Sequence, residues 1–96
     1  MAAIITAVRG IHVCVPRNMT QAAALYTASL KSDEPGLIIE RLNGYRSKEK
    51  LPTNVADITQ PLGIPEIIEE GKDITIVTYG ACVFIAQEAI AELNKV

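Results

Sequence analysis

The sequence predicts an α/β fold built from two incomplete units. Three observations predict it. A strand–helix–strand pattern fills residues 11–40, all periodicity breaks down over residues 43–60, and a strand, glycine turn, strand and helix follow over residues 64–95.

Ile11–Val15 is β-branched and nearly continuous in apolarity, as expected of a strand covered on both faces. Pro16 ends it, because proline cannot donate to a ladder. Asn18 is a good helix N-cap, with Gln21 three residues later as in a capping box. The spacing predicts a helix over Met19–Lys31, with Met19, Ala22, Ala23, Tyr26 and Leu30 on its buried face. Ser32-Asp33-Glu34-Pro35-Gly36 is a stop signal, and Leu37–Glu40 is the next strand. A helix of this length between two strands makes a βαβ unit with parallel strands.

Residues 43–60 read as an inter-domain linker, with Asn43, Gly44, Pro52, Asn54 and scattered charges. Beyond Pro61-Leu62-Gly63, the segments Ile64–Glu69 and Ile74–Thr78 are expected to pair as a β-hairpin. Glu70-Gly71-Lys72-Asp73 would turn it, with Gly71 at positive φ. Gly80 relieves the turn into a helix over Ala81–Lys95. Its expected buried face is Cys82, Ile85, Ala86, Ala89 and Leu93. The chain stops where the next parallel strand of a βαβ repeat is due, so the second unit reads as truncated. Met1–Ala7 lacks the basic start of a signal peptide and reads as an added or disordered lead-in.

Composition narrows the function. Apolar residues make up 49% of the 96, enough for one modest core, while aromatics are only 4%. The net charge of −2, with no basic stripe, argues against nucleic acid. No apolar run is long enough to span a bilayer. Cys14 and Cys82 have neither metal-ligand nor redox spacing. They read as buried small hydrophobes in a reducing, cytoplasmic protein.

Four places invite a chemical reading, each beside a plainer one. His12 and Cys14 share a strand face, as an activated nucleophile would need, but no orienting third group is evident and packing is favoured. Glu40-Arg41 stands at a strand's carboxyl end, where α/β folds bind ligands; a salt-bridged strand end is favoured. Thr78-Tyr79-Gly80-Ala81 would offer an anion a helix N-terminus; a packed turn is favoured. Asp33-Glu34-Pro35 would give a cation some oxygens but too few, so a turn is favoured. Arg46-Ser47-Lys48-Glu49-Lys50 is expected to be a solvated stretch of linker.

Several segments, in order and spacing, resemble the β subunit of the decarboxylating component of pyruvate and branched-chain 2-oxo acid dehydrogenases. They are Ile11–Pro16 with the following helix, Glu34-Pro35-Gly36-Leu37-Ile38-Ile39-Glu40, Tyr45-Arg46, Pro61-Leu62-Gly63 and Glu70–Gly80. The resemblance covers about residues 8–96. It implies that residues 8–42 are the C-terminal part of a pyrimidine-binding-like domain and 43–60 its linker. Residues 61–96 would begin a transketolase C-terminal-like domain. It also implies a parent enzyme that uses thiamine diphosphate and Mg²⁺ to decarboxylate a 2-oxo acid oxidatively, passing the acyl group to lipoamide. The implied partners are an α subunit or α-like half and a lipoyl-bearing acyltransferase; a homo-oligomer is a further expectation.

This family often holds a structural monovalent cation with Asp and Asn near the loop before the second strand. The matching positions are Ser32 and Glu34. The family's catalytic groups have no matching position, and His12 matches none of them. No catalytic, cofactor-binding or metal residue is therefore assigned. The fragment is expected to be an inactive scaffold that binds no thiamine diphosphate of its own. The alternatives are a transketolase-type or deoxyxylulose-phosphate synthase-type parent, a standalone interaction module, or a small metabolite-binding domain with its pocket near Glu40 or Thr78.

Overall fold

Strand β1 (His12–Cys14) and strand β2 (Gly36–Ile38) pair in parallel, His12 opposite Gly36, Val13 opposite Leu37 and Cys14 opposite Ile38. The pairing continues at both ends: His12 N donates to Pro35 O at 2.9 Å and Ile39 N to Cys14 O at 2.8 Å. The computed structural model describes residues 2–96. The other regular elements are helix α1 (Ala2–Ala7), helix α2 (Met19–Lys31), a 3₁₀ turn (Leu42–Arg46) and helix α3 (Cys82–Leu93). The expected βαβ unit is thus present, with α2 as its crossover and strands shorter than the apolar runs that contain them.

The start of α2 follows the sequence signal closely. Asn18 is extended, and its Oδ1 accepts the Gln21 N–H at 2.8 Å. Gln21 returns the favour one residue early: its Oε1 accepts from Arg17 N at 2.8 Å. At the other end Ser32 is extended, and the strand register begins four residues on.

Which faces are buried differs from expectation. The core is small: Cys14, Ala22, Ala24, Leu25 and Val83. Of the expected α2 face only Ala22 is fully buried; Met19 and Tyr26 are exposed and Leu30 is 86% exposed. A two-stranded sheet is too narrow to cover a whole helical stripe, and the buried residues of α2 are Ala22, Ala24 and Leu25. On α3 Val83 is buried, while Cys82, Ile85 and Leu93 face solvent. Apolar residues run nearly all the way round α3, so periodicity does not choose a face; the contacts its first turn makes do.

The expected hairpin does not form. Neither Ile64–Glu69 nor Ile74–Thr78 is a strand, and Gly71 is not among the glycines with positive φ, which are Gly10, Gly63 and Gly80. An isolated two-stranded ribbon is marginal in water without a surface to pack on. Here Ile67 is 76% and Val77 90% exposed. The lead-in also differs, forming the short helix α1 from a run that contains good helix formers.

Residues 47–81 contain no helix or strand, yet they are tied to the first turn of α2. Glu49 accepts from Met19 N at 2.7 Å and from Thr20 Oγ1 at 3.0 Å. Arg17 makes a two-pronged ion pair with Glu66, and Gln21 Nε2 donates to Gln60 Oε1 at 3.1 Å. Much surface still remains open. The accessible area is 7742 Å² for 10.4 kDa, against about 5,400 Å² for a compact monomer of that mass.

Candidate functional site

The carboxyl ends of β1 and β2 open into a cleft of about 370 Å³. Pro16 follows β1 into its wall, and Glu40 and Arg41 follow β2. This is where a parallel sheet exposes strand ends that helices do not cover. The cleft is completed by the start of α2, the 3₁₀ turn, Ser47–Glu49, and Phe84 and Glu88 of α3.

Glu40 is the polar centre of one wall. Its Oε1 accepts the Tyr26 hydroxyl at 2.8 Å, and its Oε2 accepts the Tyr45 hydroxyl. Hydrogen bonds to a carboxylate favour its charged form, so Tyr45 first and Tyr26 second hold the Glu40 carboxyl below the ordinary carboxylate range. The same bonds push both phenols up. The expected salt bridge at this strand end is replaced by a carboxylate held between two tyrosines.

Arg41 turns elsewhere. Its guanidinium stands over the Phe84 ring, 4.7 Å from the centroid, and its Nη2 donates weakly to Ser47 Oγ at 3.4 Å. Its side chain crosses Gly44, where an added Cβ would stand 2.8 Å from Arg41 Cγ. Gly44 is buried for that reason: the space of its missing side chain is filled by arginine.

The remaining sequence candidates do not converge here. His12 Nε2 lies 2.7 Å from Glu34 Oε2, so its partner is the loop before β2 and not Cys14. Cys14 is buried, and burial pushes its thiol up, opposite to what a thiolate nucleophile needs. Cys82, expected to be buried, is exposed. Glu34 is taken by His12, and its N–H is bonded to Ser32 Oγ. No group of three or more His, Cys, Asp or Glu among the described residues is placed to hold a metal ion. Gly80 has φ +57 and is buried, with Val15 Cγ1 3.0 Å from the position of an added Cβ, so the Thr78–Ala81 turn is packed at Gly80 while Tyr79 and Ala81 stay exposed.

Sequence reasoning brought Glu40 and Arg41 to the cleft and missed Tyr45, Lys48, Glu49 and Phe84 as its walls, and Tyr26 as the second phenol on Glu40. Helical spacing assigned Tyr26 to the core, and the charge run around Lys48 read as solvated. The Arg41–Phe84 contact joins distant segments and leaves no local signal.

The chain is similar to β subunits of two enzymes. It is 36% identical over 89 residues to the mitochondrial 2-oxoisovalerate dehydrogenase subunit beta of Chaetomium thermophilum, covering 92% of this chain and 19% of that protein. It is 33% identical over 87 residues to the 2-oxoisovalerate dehydrogenase subunit beta of Bacillus subtilis, 90% of this chain and 26% of that one. It is 34% identical over 87 residues to the pyruvate dehydrogenase E1 component subunit beta of Staphylococcus aureus, with the same coverage of 90% and 26%. The chain is homologous to a segment of 2-oxo acid dehydrogenase β subunits. It spans about a fifth to a quarter of the length of these curated relatives. No family model matches it, and no solved structure matches it.

The resemblance to such β subunits carries an expectation of thiamine diphosphate with Mg²⁺. The residues described here do not fit that cofactor. A diphosphate with Mg²⁺ needs several convergent oxygen ligands and a receptive backbone. Of the carboxylates of the cleft, Glu40 is engaged by Tyr26 and Tyr45 and Glu49 by Met19 N and Thr20, which leaves Glu88 and too few convergent oxygens for the ion.

Proposed function

We propose that this chain serves as the scaffold segment of a thiamine diphosphate-dependent 2-oxo acid dehydrogenase β subunit. In it, residues 8–42 end a pyrimidine-binding-like domain, 43–60 link, and 61–96 begin a transketolase C-terminal-like domain. The parent decarboxylates pyruvate or a branched-chain 2-oxo acid oxidatively and passes the acyl group to lipoamide on an acyltransferase. The cofactor supplies the carbon chemistry, and groups outside this segment, in the β subunit and its α partner, hold it with Mg²⁺. A cytoplasmic, reducing setting suits two free cysteines, one of them exposed.

The observation that carries this reading is 33–36% identity to such β subunits over about 90% of the chain. The apolar surface left open around Ile67, Ile74 and Val77 supports it, since in a whole subunit such residues meet neighbouring strands and helices. The test is an assay of the purified 96-residue chain with thiamine diphosphate, Mg²⁺, a 2-oxo acid and an artificial electron acceptor. The expected rate is that of free cofactor. Turnover above that background would overturn the scaffold reading.

A further inference from the structure

The cleft holds two cations that no carboxylate of the described residues neutralises. Arg41 is held in place before any ligand arrives: its stem lies across Gly44, its guanidinium stands 4.7 Å from the Phe84 centroid, and its polar contact is Ser47 Oγ at 3.4 Å. A stacked guanidinium retains in-plane N–H donors, which suit the two oxygens of a carboxylate, and loses little freedom on binding. Lys48 lines the same cleft and has no hydrogen-bond or ion-pair partner among the described residues. The nearby acids do not cancel these charges by contact. Glu40 is occupied by Tyr26 and Tyr45, Glu49 by Met19 N and Thr20, and Glu88 lines the cleft without a hydrogen bond or ion pair to either cation.

We infer that this cleft binds a small organic monocarboxylate, its carboxylate on Arg41 and Lys48 and its apolar body against Pro16 and Met19. The volume of about 370 Å³ suits a ligand of metabolite size. A single negative charge is selected because Glu40, Glu49 and Glu88 also line the cleft and repel a dianion such as phosphate. The site goes beyond the scaffold role, which assigns this segment no ligand.

The test is an amide-resolved NMR titration of the full 96-residue chain with sodium butyrate, and in parallel with butylamine and inorganic phosphate. Butyrate is expected to shift the Gly44, Ser47 and Lys48 amides saturably, with phosphate and butylamine far weaker. Arg41→Gln should weaken butyrate binding roughly ten-fold or more, and Arg41→Lys less. Arg41 also packs on α3, so a second variant guards against simple unfolding. Lys48→Gln leaves the packing alone and should weaken binding several-fold at an unchanged melting temperature. Absence of a saturable butyrate shift, equal binding of phosphate or butylamine, or unaltered binding by Lys48→Gln would each overturn the inference. None of these outcomes depends on 2-oxo acid turnover, so the scaffold reading stands or falls separately.

Discussion

Val15 closes over Gly80: its Cγ1 stands 3.0 Å from where a Cβ on residue 80 would be. The end of the first strand therefore touches the start of the last helix. Gly80 also has φ +57, a conformation that residues with a Cβ rarely adopt. Val83, three residues on, is buried, and Phe84 lies against Arg41.

Gly80→Ala should therefore destabilise the chain by about 1–3 kcal/mol, combining backbone strain with a forced shift of Val15. Gly63→Ala should cost less, because its φ is +74 but nothing lies within 4 Å of an added Cβ. Gly71 is open and not at positive φ, so Gly71→Ala should be neutral or slightly stabilising. Urea unfolding of the three variants checks the order.

The Tyr26–Glu40–Tyr45 group gives stability a pH dependence on both sides. The Glu40 carboxyl is held down in the folded chain. Its contribution is therefore present above the ordinary carboxylate pKa and lost as pH falls through the lower folded value. The two phenols are pushed up, so their contribution is present below the ordinary phenol pKa and lost as pH rises through the higher folded values. Glu40→Gln should flatten both limbs. Melting temperature against pH, with phenolate absorbance followed on the alkaline side, reads both.

The Arg17–Glu66 pair should matter locally more than globally. Glu66 is partly exposed, so Glu66→Gln should cost on the order of 0.5 kcal/mol, and less at high salt. The larger effect should appear in hydrogen exchange. Amides of residues 60–66 should exchange faster once Glu66 no longer accepts from Arg17 and Gln21, while those of β1 and β2 stay unchanged.

Val77→Asp tests whether the segment expected to be a hairpin strand is uncovered in this chain. Val77 is 90% exposed, so its replacement should change stability by less than about 0.5 kcal/mol and improve solubility. Denaturation midpoints and size-exclusion profiles at rising concentration report both. A large loss of stability would show that residues 74–78 are packed after all.

What the sequence disclosed follows how local each signal is. The β1–α2–β2 unit was legible because its marks lie within a few residues of what they control: Pro16 after the strand, Asn18 and Gln21 at the cap, Pro35 before β2 and Gly36 at its start. Gly80 was legible as a backbone requirement, although Val15 as its cause was not. The hairpin was misjudged because two short apolar segments around a glycine turn report only that strands would be stable if covered. Here Ile67 and Val77 face solvent. The α3 face was misjudged because a helix apolar nearly all round leaves the choice to its neighbours. In the cleft, Glu40 and Arg41 were legible from their place at a strand end. Lys48, Glu49 and Phe84 reach it, and Tyr26 reaches Glu40, only through contacts between distant segments.

The most direct test of the central claim is a segment exchange. Residues 8–96 would replace the homologous stretch of the Bacillus subtilis 2-oxoisovalerate dehydrogenase subunit beta, followed by assembly with its partner subunit and a decarboxylation assay. A segment that acts as scaffold and leaves the chemistry to the rest of the enzyme should give a chimera that assembles and turns over. A soluble, folded chimera that fails to assemble or to decarboxylate would contradict the account.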